Sequence, residues 1–120
     1  MLTSPLSTTV QIDIKPGSFP NSINPRSKGV IPVAILTTDS FDARTVDPAT
    51  VLFGRTGTEA TAVQFALEDV DTDGDIDFIF HFNTQDTGLV CGDTTAILGG
   101  GTLGGQAITG SDPIATVGCQ

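Results

Sequence analysis

The sequence predicts an all-β domain: a single β-sandwich, Ig-like or Greek-key in type, with about seven or eight strands. Three observations carry that prediction. Of the 14 acidic residues twelve are Asp, which favours turns and metal loops and is a poor helix former. The chain holds 14 Gly and 7 Pro beside abundant Thr and Val. Short apolar runs recur at roughly 8–15-residue spacing, separated by turn-forming clusters. A chain of 120 residues fits one domain and can bury a real core. Residues 10–120 are assigned to the sandwich and residues 1–9 to an N-terminal extension.

The elements follow in order. Leu2, Ser4, Leu6, Thr8, Val10, Ile12 and Ile14 share one face of a long alternation, with Gln11 and Asp13 on the other. As a strand this would span about 40 Å, twice the usual length. Pro5 argues against a central strand at its start, so the expected strand is Thr8 to Lys15. Residues 16–29 read as a loop, pinned to the core by Phe19 and Ile23. Val30 to Thr37 reads as a strand buried on both faces, with Pro32 marking an edge or a bulge. Thr38 to Pro48 is polar, anchored by Phe41 and Val46, and Asp47-Pro48-Ala49-Thr50 can start a short helix or turn before Val51-Leu52-Phe53. Gly54 to Glu59 is a turn. Ala62 to Leu67 alternates, with Val63, Phe65 and Leu67 expected inward, and Asp77 to Asn83 places Phe78, Phe80 and Phe82 on one face. Further strands are expected at Thr94–Leu98, Gln106–Ile108 and Ile114–Val117, with Gly-rich turns between them.

The most informative stretch is Glu68-Asp69-Val70-Asp71-Thr72-Asp73-Gly74-Asp75-Ile76-Asp77. On a plain strand the alternate aspartates would share one face and repel one another. Gly74 permits a tight turn instead. The spacing D-x-D-x-D-G-x-x-D lets Asp69, Asp71 and Asp73 converge, Asp75 offer its carbonyl, and Asp77 close the site directly or through water. Glu68 is an additional candidate. Hard oxygen ligands in that order suit calcium. Loop position 12 is Phe80, not the bidentate Glu of an EF-hand, so the loop is a β-associated calcium loop joining two strands. The alternative is a solvated acidic turn.

Cys91 and Cys119 are the only cysteines, and a bridge between them would close a loop of about 28 residues. Calcium at millimolar levels and a disulfide both fit an extracellular, secreted protein. Two buried free thiols are the alternative.

Ile12-Asp13-Ile14-Lys15-Pro16-Gly17-Ser18, Lys28-Gly29-Val30-Ile31-Pro32-Val33-Ala34-Ile35-Leu36, Val46-Asp47-Pro48-Ala49-Thr50-Val51 and the Asp69–Asp77 loop together resemble a module of uncharacterised secreted proteins from environmental bacteria and archaea. The resemblance spans most of residues 10–117 and implies an appended extracellular β domain with no established activity. Phe19 stands where many such relatives carry Cys, so no disulfide pairing transfers from them. The loop alone is also similar to those of integrin-type and thrombospondin-type repeats.

A net charge of −9 argues against nucleic acid and anionic membrane as partners, and no apolar run approaches the roughly 20 residues of a membrane span. The first residues, Met1-Leu2-Thr3-Ser4-Pro5, do not read as a signal peptide, but a mature secreted chain would have lost one. Gly99 to Gly104 matches G-x-G-x-x-G formally, without the helix that nucleotide binding needs. His81 is the sole histidine and sits between phenylalanines, and no other acids are placed for acid–base work, so an enzyme is not expected. The expected function is that of a calcium-stabilised structural subunit of an extracellular fibril or surface layer. Leu2, Leu6 and Val10 would add a strand to a neighbouring copy. A frayed tail is the alternative reading of that segment. The rival function is a carbohydrate-binding or adhesion module, with polysaccharide as partner; the lack of Trp and Tyr weighs against its sugar-binding form.

Overall fold

The computed structural model describes residues 7–119 and is almost entirely β. Its strands are β1 (Thr8–Thr9), β2 (Ile12–Ile14), β3 (Ser22–Ile23), β4 (Val30–Ile35), β5 (Leu52–Gly54), β6 (Ala60–Glu68), β7 (Asp77–Asn83), β8 (Thr95–Gly101), β9 (Ala107–Pro113) and β10 (Ala115–Thr116). Eight of them form one curled mixed sheet in the order β1-β9-β8-β5-β6-β7-β4-β2, and β10 pairs with β3 apart from it. The result is sandwich-like. β9, β8 and β5 form one layer, β7, β4 and β2 the other, and β6 passes from the first to the second.

The alternation from Thr8 to Ile14 is real, but it serves two strands rather than the single one expected. β1 runs parallel to β9, and Val10 still donates its N–H to the Thr109 carbonyl at 2.8 Å. The chain then crosses layers, and β2 pairs antiparallel with β4. Ile12 and Ile14 point into the core on the far side of that crossing. Lys15 ends the pairing with a positive φ of 53°. Pro32 lies just past the end of β2, opposite His81 of β7, and its carbonyl accepts the Lys15 N–H at 2.7 Å. β4 is therefore an interior strand. Pro32 is tolerated there because β2 has stopped, not because β4 lies at an edge or bulges.

The core is built where the two layers face each other. Phe80 and Phe82 of β7, Val33 and Ile35 of β4, Phe53 of β5 and Leu98 of β8 are fully buried. Phe53 stacks on Phe82 across the layers at 5.0 Å between ring centroids. Phe41 and Val46 anchor the polar segment after β4, as the pattern predicts. Pro48–Thr50 forms a single 3-10 turn with Asp47 as its cap, accepting the Ala49 N–H at 3.1 Å.

Three further expectations fail, each because the outcome depends on what lies across from the residue. Gly99, Gly100 and Gly101 lie within β8 rather than in a turn. A Cβ on Gly100 would sit 3.2–3.3 Å from Val51 and Thr50, so glycine lets the 48–51 segment pack against the strand. Phe19 does not pin its loop; it is 95% exposed, and Ile23 does the anchoring through β3. Val63, Phe65 and Leu67 are exposed rather than inward. β5 pairs only with Ala60 and Thr61 of β6, and the register breaks between Ala62 and Gln64, so among the described residues the rest of β6 has β7 on one side only.

Candidate metal centre

β6 and β7 are paired up to Glu68 opposite Asp77, and the segment 69–76 closes the hairpin. Its shape follows from its own side chains. Asp69 Oδ2 accepts the Gly74 N–H at 2.9 Å, Asp71 Oδ1 accepts that of Asp73 at 3.4 Å, and Asp73 Oδ1 accepts that of Asp75 at 2.9 Å. These Asx-type bonds curl the backbone around the carboxylates. Two residues take left-handed angles, Thr72 at φ 56° and Gly74 at φ 94°, and the second is where the sequence placed its turn.

The result brings together one oxygen each from Asp69, Asp71, Asp73 and Asp77, all within 4.8 Å of one another. An ion at roughly 2.3–2.6 Å from each ligand separates opposite ligands by about 5 Å, so this cluster can hold a metal ion. Asp69 Oδ1 is buried with no hydrogen-bond partner among the described residues, as a coordinating oxygen would be. Asp75 and Glu68 contribute no side-chain oxygen to the group.

Asp77 differs from the other three in being fully buried. Its Oδ1 accepts the Thr37 N–H at 2.8 Å and its Oδ2 the Val70 N–H at 3.1 Å. Thr37 in turn donates its hydroxyl to the Ile76 carbonyl at 2.6 Å and accepts the Ala43 N–H at 2.9 Å. The centre thus ties the end of β4, the segment leading to Ala43 and the hairpin turn into one unit. No spacing in the sequence points to Thr37, which lies 40 residues from Asp77.

Crowded carboxylates resist ionisation. The Asp71 carboxyl is pushed up to about 6, first by desolvation, then by its hydrogen bond with Asp73 and the charge of Asp77. Without metal, the folded chain therefore holds a proton that the unfolded chain has released between about pH 4 and 6. Acidifying metal-free protein from pH 7.5 to 5.5 should raise its Tm through this group. Asp13, raised by burial and then by the nearby Asp112, acts in the same direction. A bound cation competes with that proton, so the Tm gain from added metal should shrink over the same interval. Calorimetry at the two pH values, with and without metal, checks both signs.

No protein family, curated protein or solved structure matches this chain. Cys91 and Cys119 are joined in a disulfide with Cα atoms 5.8 Å apart. The same end of the chain is held by the Ile114 N–H on the Thr94 carbonyl at 2.9 Å and the Gly92 N–H on Thr116 Oγ1 at 3.0 Å. Of the residues expected to mediate assembly, Val10 is buried in this chain's own core, because the layer crossing turns it inward. Leu2 and Leu6 lie outside the described residues. His81 projects from β7 on the side away from the Phe row, and its Nδ1 is buried without a partner among the described residues. Among those residues, no helix is long and apolar enough to cross a membrane.

Proposed function

We propose that this chain is an extracellular structural protein, a calcium-stabilised subunit that assembles with copies of itself into a fibril or surface layer. The observation that supports this most is the carboxylate nest. Four Asp side chains converge, and the one that is buried is bonded to the backbone of Thr37 and Val70. An ion held there would brace three segments of the fold, which is a structural task. Calcium fits better than magnesium, because magnesium sheds water reluctantly and takes few carboxylates, whereas calcium accepts many oxygens in loose geometry. Extracellular calcium is abundant enough for a modest site, and the Cys91–Cys119 bridge suits the same oxidising setting. The resemblance to modules of secreted proteins points the same way. A net charge of −9 disfavours nucleic acid and anionic membrane as partners.

Self-assembly is the part that the alternating segment Leu2 to Leu6 supports. A strand of that kind needs a sheet edge to pair with, and a head-to-tail contact between identical copies extends without closing.

The metal is tested by chelation. At a calcium concentration about 100-fold above Kd, removal with EGTA costs about 2.7 kcal/mol, or about 11 °C in Tm for a domain of this size. Asp71→Ala should reproduce the low Tm and abolish the response. A Tm indifferent to both EGTA and calcium would make the loop a plain acidic turn. Electron microscopy of the chain in calcium tests the assembly.

One observation favours the rival reading, a secreted carbohydrate-binding or adhesion module. Phe19, on the cis Phe19-Pro20 peptide, stands over a cleft of about 330 Å³ that also holds Asp13, Asn21 and Asp112. An exposed ring beside carboxylates offers a stacking face and hydrogen-bond acceptors to a sugar. A chain that stays monomeric in calcium and binds a polysaccharide array would promote that reading over the structural one.

A further inference from the structure

β6 is the anomaly of this surface. From Gln64 to Glu68, past a bulge at Val63, one edge bonds to β7, and the other faces no strand among the described residues. Val63, Phe65 and Leu67 on this stretch are 54%, 49% and 52% exposed. Phe65 and Leu67 lie opposite Phe80 and Phe78, so they continue the face of the core aromatic row. The Phe65 ring sits 5.8 and 5.9 Å from those of Phe78 and Phe80. A strand laid beside β6 would extend the core by one more row. Natural edges are often blunted by Lys, Pro, inward charges or a bulge; Val63-Gln64-Phe65-Ala66-Leu67 has none of the first three, and its bulge at Val63 leaves Gln64 to Glu68 in regular register with β7.

Resting on the assembly reading above, we infer that this open edge is the acceptor, and that its occupant is the segment 1–7 of a second copy. Three features of the segment fit. Leu2, Ser4 and Leu6 alternate, so one face can supply two leucines to the lip formed by Phe65 and Leu67. Pro5 falls on the opposite parity from Leu2 and Leu6. When residues 2, 4 and 6 bond to β6, its missing N–H faces away and blunts the new edge. The first twelve residues carry no charged side chain in a chain of net charge −9, so the segment can approach an acidic neighbour without repulsion. In length it provides about 20 Å, enough to cover Val63 to Glu68.

The chain's own segment is poorly placed to fill this edge. Thr8 and Thr9 are held on β9, and β9, β8 and β5 lie between β1 and β6. A strand on that edge would continue the line of β5, three spacings from β1 or about 14 Å along the sheet, which is more than half the reach of seven residues. Pairing between copies has no such cost. The acceptor edge runs directly into the Asp69–Asp77 turn, so an ion there would also hold the register of the edge that receives the donor.

The test uses the full chain in calcium. Phe65→Lys with Leu67→Lys blocks the acceptor and leaves the donor intact, whereas deletion of residues 1–7 does the reverse. Both variants should keep the calcium-dependent rise in Tm, which shows that they fold. Each alone should lose pelletable filaments, and mixed together they should form a 1:1 dimer that grows no further. If the wild type forms filaments and the Lys variant does too, the acceptor lies elsewhere and this inference falls while self-assembly stands. If the wild type stays monomeric at every concentration and the mixture forms no dimer, both fall together.

Discussion

Asp77→Ala should be the most damaging single substitution in the loop, costing about 5 kcal/mol in calcium and lowering Tm by about 20 °C. Two separable losses add up to this. The first is the ion, worth about 2.7 kcal/mol at saturating calcium. The second is independent of metal. The fully buried carboxylate accepts the N–H groups of Thr37 and Val70, and its removal leaves both without an acceptor at a cost of about 2–3 kcal/mol. The contrast with Asp71 separates the two. Asp71 is exposed and accepts only a long bond from Asp73, so Asp71→Ala should lose the calcium response and little else. In EGTA the Asp71 variant should match or exceed the wild type, because the substitution also relieves crowding that pushes the Asp71 carboxyl up. The Asp77 variant should remain clearly below it. Urea denaturation of the three proteins, with and without calcium, gives all the differences needed. Equal stability of the two variants in EGTA would show that Asp77 serves only as a ligand.

Opening the Cys91–Cys119 bridge should cost about 3.5 kcal/mol, or about 14 °C in Tm, on the chain-entropy estimate. The bridge closes a loop with a sequence separation of 28 residues. That loop contains the β8–β9 hairpin, the most extensively paired one in this layer, and the bridge returns the chain to its starting point through β10. With the bridge open, β10 keeps its short parallel pairing to β3, the bond from Gly92 to Thr116 and, just before it, the bond from Ile114 to Thr94. β3 belongs to the 16–29 loop, so that loop should loosen as well. Hydrogen exchange should therefore speed up first at Ser22, Ile23 and residues 114–117, before β8 and β9. Calorimetry of the protein with and without reductant, beside Cys91→Ser with Cys119→Ser, provides the measurement. A reduced protein with unchanged Tm would mean that the β3–β10 ribbon is held by its packing alone.

Much of this protein was legible from its residues alone. Composition fixed the all-β class, because a chain rich in Asp, Gly, Pro, Thr and Val has little to build a helix from. The Asp series with Gly74 identified the turn, since Asx bonds and a left-handed glycine are local chemistry that acts within a few residues. The row Phe78, Phe80 and Phe82 announced a buried strand face, and two cysteines left a single intrachain pairing.

What only the tertiary structure decided concerns partners distant in sequence. The alternation through Thr8–Ile14 states which residues share a face, but not that the chain changes layers midway and buries Val10 in its own core. The same alternation in β6 correctly aligns Phe65 and Leu67 with the core face. It cannot reveal that the pairing with β5 ends at Thr61 and that no other strand among the described residues covers them. Asp77 looked like one ligand among five, whereas Thr37, just past the end of β4, holds it by a backbone bond. Periodicity reports the direction of a side chain, which is a property of its own backbone. Burial and partnership depend on whatever the fold brings opposite, and in a sheet whose neighbours are mostly far apart in sequence, that information is not local.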